Sequence, residues 1–156
     1  MTQYRSDVSV GVARLSSADH RHTVAFTLKR IDDPHHADWH SYELSMIGPQ
    51  GNVASLVSND EHTLFLDKTI APEVPALCAG IADVVANGGR YLFEPVDERD
   101  FLLEVEASAG RLVLRLQYRW NPAPEEFGWP VGLPVDPKAL LEFCRTLEAL
   151  FLQVIA

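Results

Sequence analysis

Apolar and polar residues alternate through most of the first half of the chain. Val8, Val10 and Val12 fall on one side of an extended segment. Val24, Phe26 and Leu28 repeat the pattern after the polar turn from Ser16 to Arg21. A period of two places such side chains on one face of a sheet. Ile31 to Asp38 is polar and carries a proline, which reads as a loop. Tyr42, Leu44 and Met46 then alternate again, and the run from Gly48 to Asn52 is a turn signal. Val53 to Val57 and Thr63 to Leu66 read as two short strands around the polar turn Ser58 to Glu61.

The period changes after residue 72. Val74, Leu77, Cys78, Ile81, Val84 and Val85 recur at spacings of three and four, one apolar stripe along a helix. Pro72 and Pro75 fit only its first turn, and Gly88-Gly89 fits a left-handed stop, so the spacing predicts a helix over Glu73 to Asn87. Arg90 to Phe93 reads as a short strand. Phe101, Leu103, Val105 and Ala107 alternate, as do Leu112, Leu114, Leu116 and Tyr118, with Ala109-Gly110 between them. That is the clearest hairpin in the chain. Residues 121–134 carry four prolines and two glycines and read as a long irregular loop. Asp136 then caps a second helix with Pro137 at its first position, and Leu140, Leu141, Cys144, Leu147, Leu150, Phe151 and Val154 form its apolar face.

The element order expected is therefore βββββ-α-βββ-α. Connections of hairpin length imply a mainly antiparallel sheet of about seven or eight strands, with both helices on one face. This is an α+β domain of two layers. At 156 residues the chain is one domain, residues 1–156, long enough to bury roughly 70% of its unfolded surface without a metal or disulfide.

Charge changes the picture more than composition does. The net charge is -9, a field that repels phosphate backbones and anionic lipid but speeds encounter with a basic protein. No apolar run reaches the roughly 18 residues of a membrane span, and no secretory leader is visible. The two cysteines, Cys78 and Cys144, lie on apolar stripes and read as buried free thiols. Together these readings imply a cytoplasmic protein that contacts neither nucleic acid nor membrane.

Catalytic signatures are missing from the residues. There is no nucleophile elbow, and Gly88-Gly89 follows a helix instead of opening one, the wrong end for a phosphate site. His35, His36 and His40 cluster with Asp32, Asp33 and Asp38, donor types that suit zinc or nickel. Their spacing matches no metal motif, so they read as a solvated loop, with partner contact as the second reading. Residues 94–106 hold six acidic groups against one arginine. Glu104 and Glu106 share a strand face where arginines of the hairpin can pair with them. Glu125, Glu126, Phe127 and Trp129 set two large aromatics beside two carboxylates, and Trp39 follows the histidine loop. Exposed tryptophan is typical of binding hot spots.

The second half runs from a helix (VPALCAGIADVVANGG) to a hairpin (FLLEVEASAGRLVLRLQYRW), a tryptophan segment (FGWPVGLPVD) and a closing helix (PKALLEFCRTLEALF). In this order and texture it resembles the WapI-type and related immunity proteins linked to polymorphic toxins. Gly88 to Asp97 departs from that family's small-residue and acidic pattern. The resemblance implies a bacterial cytoplasmic protein, without catalytic residues or cofactor, that binds a cognate toxin domain and occludes its active site. The toxin would carry a basic cleft. Composition nominates Asp97, Glu98, Asp100, Glu125, Glu126, Phe127, Trp129, His35, His36 and Trp39 for the interface. Two rivals remain: a small-ligand or sensory module with a pocket between sheet and helices, and a hydrolase using the acidic or histidine-rich loops.

Overall fold

The computed structural model of the chain describes residues 7–31, 39–56, 63–65, 72–95, 101–118 and 131–155. Among the described residues, nine strands and two helices run in the order βββββ-α-ββββ-α. The strands are β1 (Asp7–Ser16), β2 (Thr23–Ile31), β3 (Trp39–Gly48), β4 (Gly51–Leu56), β5 (Thr63–Phe65), β6 (Gly89–Phe93), β7 (Phe101–Ser108), β8 (Arg111–Tyr118) and β9 (Val131–Pro134). The helices are α1 (Glu73–Asn87) and α2 (Pro137–Ile155).

Among the described residues all pairing is antiparallel, as expected, but the strands form two sheets and not one. The first has the order β1-β2-β3-β4, with β5 also on β3; the second has the order β6-β7-β8-β9. The extra strand, β9, lies in the segment read as a loop. It is an edge strand ending in Pro134, and only edges tolerate proline in this way. The expectation of both helices on one sheet face is corrected as well. α2 packs on β1 and β2 of the first sheet, whereas α1 packs on β6 and β7 of the second, and the helices touch each other.

One core joins these layers. Val24, Phe26 and Leu28, with Tyr42, Leu44 and Met46, point inward from the first sheet. Phe101, Leu103 and Val105, with Leu112, Leu114 and Leu116, point inward from the second. The rings of Phe26 and Tyr42 meet Phe101 at centroid distances of 6.2 and 5.5 Å, and Phe93 stacks behind it at 5.8 Å. The sheets also touch through backbone, since Ala18 N donates to Pro134 O at 2.7 Å. The turn carrying Ala18 is fastened locally. Ser17 Oγ donates to Asp19 Oδ1, as does Arg21 N, and these bonds, the Ser17 one foremost, hold the Asp19 carboxyl below its ordinary pKa.

The first strand departs from simple alternation. Its register slips between Ser9 and Gly11, a bulge that shifts the inward phase by one residue. Ala13 and Leu15 are therefore the core residues of β1. Val10 is partly buried, and Val8, expected on the core side, is 40% exposed. Gly11 itself has φ +145°, and a Cβ there would sit 2.5 Å from Leu150 Cδ2 of α2.

Both helices end where the residues dictate. Asp136 Oδ2 accepts a bond from Ala139 N at 3.1 Å, a side-chain cap worth about 1 kcal/mol. α1 stops at Gly88, which has φ +77° and donates its N–H to Val84 O. Cys78 and Cys144 are buried free thiols where α1 meets α2, with Cys78 Sγ 3.6 Å from Cys144 O. Cys144 beside it, and then burial, push the Cys78 thiol far up in pKa, so it carries no thiolate near neutrality. Among the described residues no helix is long and apolar enough to cross a membrane.

Candidate binding cleft

The β7–β8 hairpin closes through Ala109 and Gly110, both with positive φ, in the manner of a tight two-residue turn. Because side chains alternate along a strand, Leu112, Leu114 and Leu116 enter the core, while Arg111, Val113 and Arg115 share the outer face of β8. β9 lies alongside, with Pro134 opposite Val113 and Gly132 opposite Arg115. Gly132 has no side chain to cover its neighbour. A cleft of about 880 Å³ opens here, straddling the turn end of the second sheet and reaching Val85 at the end of α1 and Pro137 at the start of α2.

The polar wall of this cleft is ordered by ion pairs on the outer sheet face. Arg115 Nη1 binds Glu104 Oε1 at 2.7 Å and Glu106 Oε1 at 3.3 Å. Arg90 Nε binds the second oxygen of Glu104 at 2.8 Å. These are the cross-hairpin pairs expected of Glu104 and Glu106. The hydrogen bonds that Arg115 donates to Glu104, first, and to Glu106, second, raise its pKa further, fixing its charge. Arg111 makes no ion pair among the described residues. The described lining holds two arginines and no carboxylate, imidazole or thiol; Arg115 is already paired with Glu104 and Glu106, so the uncompensated positive charge beside the apolar side chains is that of Arg111.

Asp97, Glu98, Asp100, Glu125, Glu126, Phe127, Trp129, His35 and His36 lie outside the described residues, as do Asp32, Asp33 and Asp38. Trp39 opens β3 opposite Phe65, and its side chain is likewise outside the description. The strand ends flanking these segments are nonetheless neighbours. β6 ends at Phe93, β7 begins at Phe101 opposite Tyr118, and β9 begins at Val131 opposite Leu116. All lie at the end of the second sheet opposite the Ala109–Gly110 turn. Tyr42, near the start of β3, reaches the same end through its contact with Phe101.

His40 requires a correction. Read as part of a solvated histidine loop, it is instead fully buried, the first inward residue of β3 in line with Tyr42, Leu44 and Met46. Its Nδ1 lies 3.2 Å from Ser41 O and its ring 5.8 Å from Phe151. That bond assigns the proton to Nδ1, leaving Nε2 as a buried acceptor with no hydrogen-bond partner among the described residues. Burial pulls the pKa from 6.5 to about 4, the bond to Ser41 opposing only in part. Carrying the period-two pattern of β3 back by one step from Tyr42 would have found it. Gly132 gave no such signal, because its strand was hidden among prolines. Among the described residues no group of three or more histidine, cysteine and carboxylate side chains is placed to hold a metal.

Comparison with family models, curated proteins and solved structures gives no match.

Proposed function

We propose that this protein acts by binding another protein, as an immunity protein that neutralises a cognate bacterial toxin domain by occluding its active site. The observation that carries this reading is the gathering of strand ends at one end of the molecule. The segments holding Asp97, Glu98 and Asp100, and Glu125 to Trp129, are both flanked by adjacent ends of the second sheet. The segment with His35 and His36 precedes β3, whose Tyr42 packs on Phe101 at that same end. Acidic groups and large aromatics on neighbouring connections supply the two components of an inhibitory interface, charge for steering and apolar anchors for affinity. A net charge of -9 suits a basic target cleft.

Retrieval on the immobilised protein from its native cell lysate, at low and high salt, tests this. The expected result is a salt-sensitive one-to-one complex with a basic toxin-like protein. Reversing charge with Asp97→Lys and Glu98→Lys should slow association while leaving thermal stability unchanged. Equal association by that variant would remove these residues from the interface, and loss of folding without a kinetic effect would count against the whole reading.

A second reading, small-ligand binding, is favoured by the cleft at the hairpin turn. Its pocket lies at the end of the second sheet, whereas the described interface between sheets and helices is filled by core side chains.

A further inference from the structure

We infer that the cleft at the turn end of the second sheet is a binding site for an amphipathic organic anion, a carboxylate or phosphate joined to an apolar body. A volume of about 880 Å³ falls within the usual range of small-molecule sites, about 300–1,000 Å³. Its two walls differ in kind. Val85, Leu112 and Val113 supply apolar surface; Arg111 and Arg115 supply positive charge with planar donors suited to carboxylate and phosphate. In a chain of net charge -9, the lining carries no carboxylate of its own among the described residues, and Arg111 is its uncompensated cation, Arg115 being shared with Glu104 and Glu106.

Two details separate this cleft from an ordinary surface hollow. Glu104 and Glu106 both engage Arg115 through Nη1, which orders the guanidinium in advance of any ligand. Its Nε lies 3.9 Å from where a Cβ of Gly132 would stand. Gly132 has no left-handed backbone that would demand glycine, and a Cβ there would make only ordinary contacts, the nearest 3.6 Å from Val113. A strand glycine that neither conformation nor crowding requires marks a place where something else approaches the backbone. Arg111 lines the same cleft four residues along β8, beyond Val113, and makes no ion pair among the described residues.

The inference is independent of the toxin reading and is tested without a protein partner. Fluorescence titration with anilinonaphthalene sulfonate, an apolar anion, should saturate at one equivalent, and decanoate should displace it. Decanol and inorganic phosphate should each compete at least tenfold less well, since each offers half of the chemistry. Arg111→Gln should weaken decanoate about tenfold or more, the usual effect of losing one hydrogen bond to a charged group. Gly132→Leu should abolish saturable binding. Gly132→Ala, whose methyl group fits without displacement, should melt like the wild type and bind more weakly, so the test survives if the leucine variant fails to fold. Unsaturable binding, equal competition by decanol, or affinity unchanged in both Arg111→Gln and Gly132→Ala would overturn the proposal.

Discussion

The two sheets admit their helices by opposite arrangements. In the first, the glycine is on the strand: Gly11 of β1 leaves space for Leu150 of α2. In the second, the glycine is on the helix: Gly80 of α1 leaves space for the ring of Tyr91 on β6, whose hydroxyl reaches Ala76 O. Both sheets carry ion pairs on their outer faces, Lys29 with Glu43 at 2.9 Å in the first, but they differ in what they bury. The second keeps Arg90, Glu104, Arg115 and Glu106 in a ladder on its outer face. The first sinks His40 among apolar side chains, 0% exposed. Acid should therefore act on the first sheet through His40, whereas salt should act on the outer pairs, most of the described ones being in the second sheet.

His40 gives the largest expected effect. Its folded pKa of about 4 lies below the ordinary 6.5, so the unfolded chain takes up the proton first as pH falls. Its contribution is intact above pH 6.5 and is lost between pH 6.5 and 4, with no further loss below. At about 1.4 kcal/mol per pH unit, that loss is of order 3 kcal/mol. Urea unfolding of wild type and His40→Phe across this range isolates it from the carboxylates. The variant should lose less stability on acidification, and the difference should persist in 1 M salt because the site is dry. Parallel curves for the two proteins would remove His40 as the acid-sensitive group.

The glycines come next. Gly11→Ala meets both a backbone at φ +145° and Leu150 at 2.5 Å, and should cost about 2–3 kcal/mol. Gly80→Ala meets only crowding, since a Cβ would stand 2.3 Å from the Tyr91 ring. Helix propensity returns about 1 kcal/mol, leaving a net cost of about 1–2 kcal/mol. Tyr91→Ala separates the terms: in that background Gly80→Ala should become stabilising, while Gly11→Ala should be unaffected. Denaturant midpoints of the wild type, the three single variants and the two double variants decide this, and a Gly80 penalty that survives removal of the ring would break the contrast.

Legibility of the two sheets in the sequence also differed, for physical reasons. The β7–β8 hairpin and the bounds of α1 followed from spacing alone, because each has an unbroken period and its own stop signal, Ala109-Gly110 or Gly88-Gly89. The inward face of β1 was misassigned because a bulge is one extra residue, invisible to a period-two count. β9 was missed because prolines argue against strands, and edge position, which excuses them, is a property of the assembled sheet. For the same reason the cleft could not be read: Gly132 and Arg115 are distant in sequence and become opposite only through the register of β8 and β9. The charge ladder was partly legible, since alternation put Glu104 and Glu106 on one face, but which arginine would pair depended on the registers of β7 with β6 and β8.

Glu104 tests the salt half of the comparison. It bridges Arg90, 60% exposed, and Arg115, while its own side chain is 16% exposed. Glu104→Gln keeps the shape and removes the charge. Exposed pairs are worth little singly, so the expected loss is about 1 kcal/mol at low ionic strength. It should shrink towards zero in 1 M salt, where the screening length falls to about 3 Å. A loss that salt does not change would mean that Glu104 acts by packing, and the two sheets would then differ only in where their polar groups sit.

The smallest effect has the opposite sign. Ala109 holds φ +51° in the hairpin turn of the second sheet, a left-handed conformation that disfavours a Cβ. The turn's two positive φ values match the two-residue type for which Asn-Gly is preferred, and Gly110 already supplies the second position. Asparagine tolerates this region better than alanine, so Ala109→Asn should stabilise by about 0.5 kcal/mol. His20 at φ +60° offers the matching site in the first sheet, within the turn fastened by Ser17 and Asp19. His20→Asn relieves similar backbone strain, but there the turn is also held by His20 N bonding Ser17 O and by His22 N bonding Ser17 Oγ. If local turn strain alone matters, the two substitutions should raise the urea midpoint equally. A gain at Ala109 without one at His20 would show that side-chain bonds already determine the first turn, while the second depends on its backbone alone.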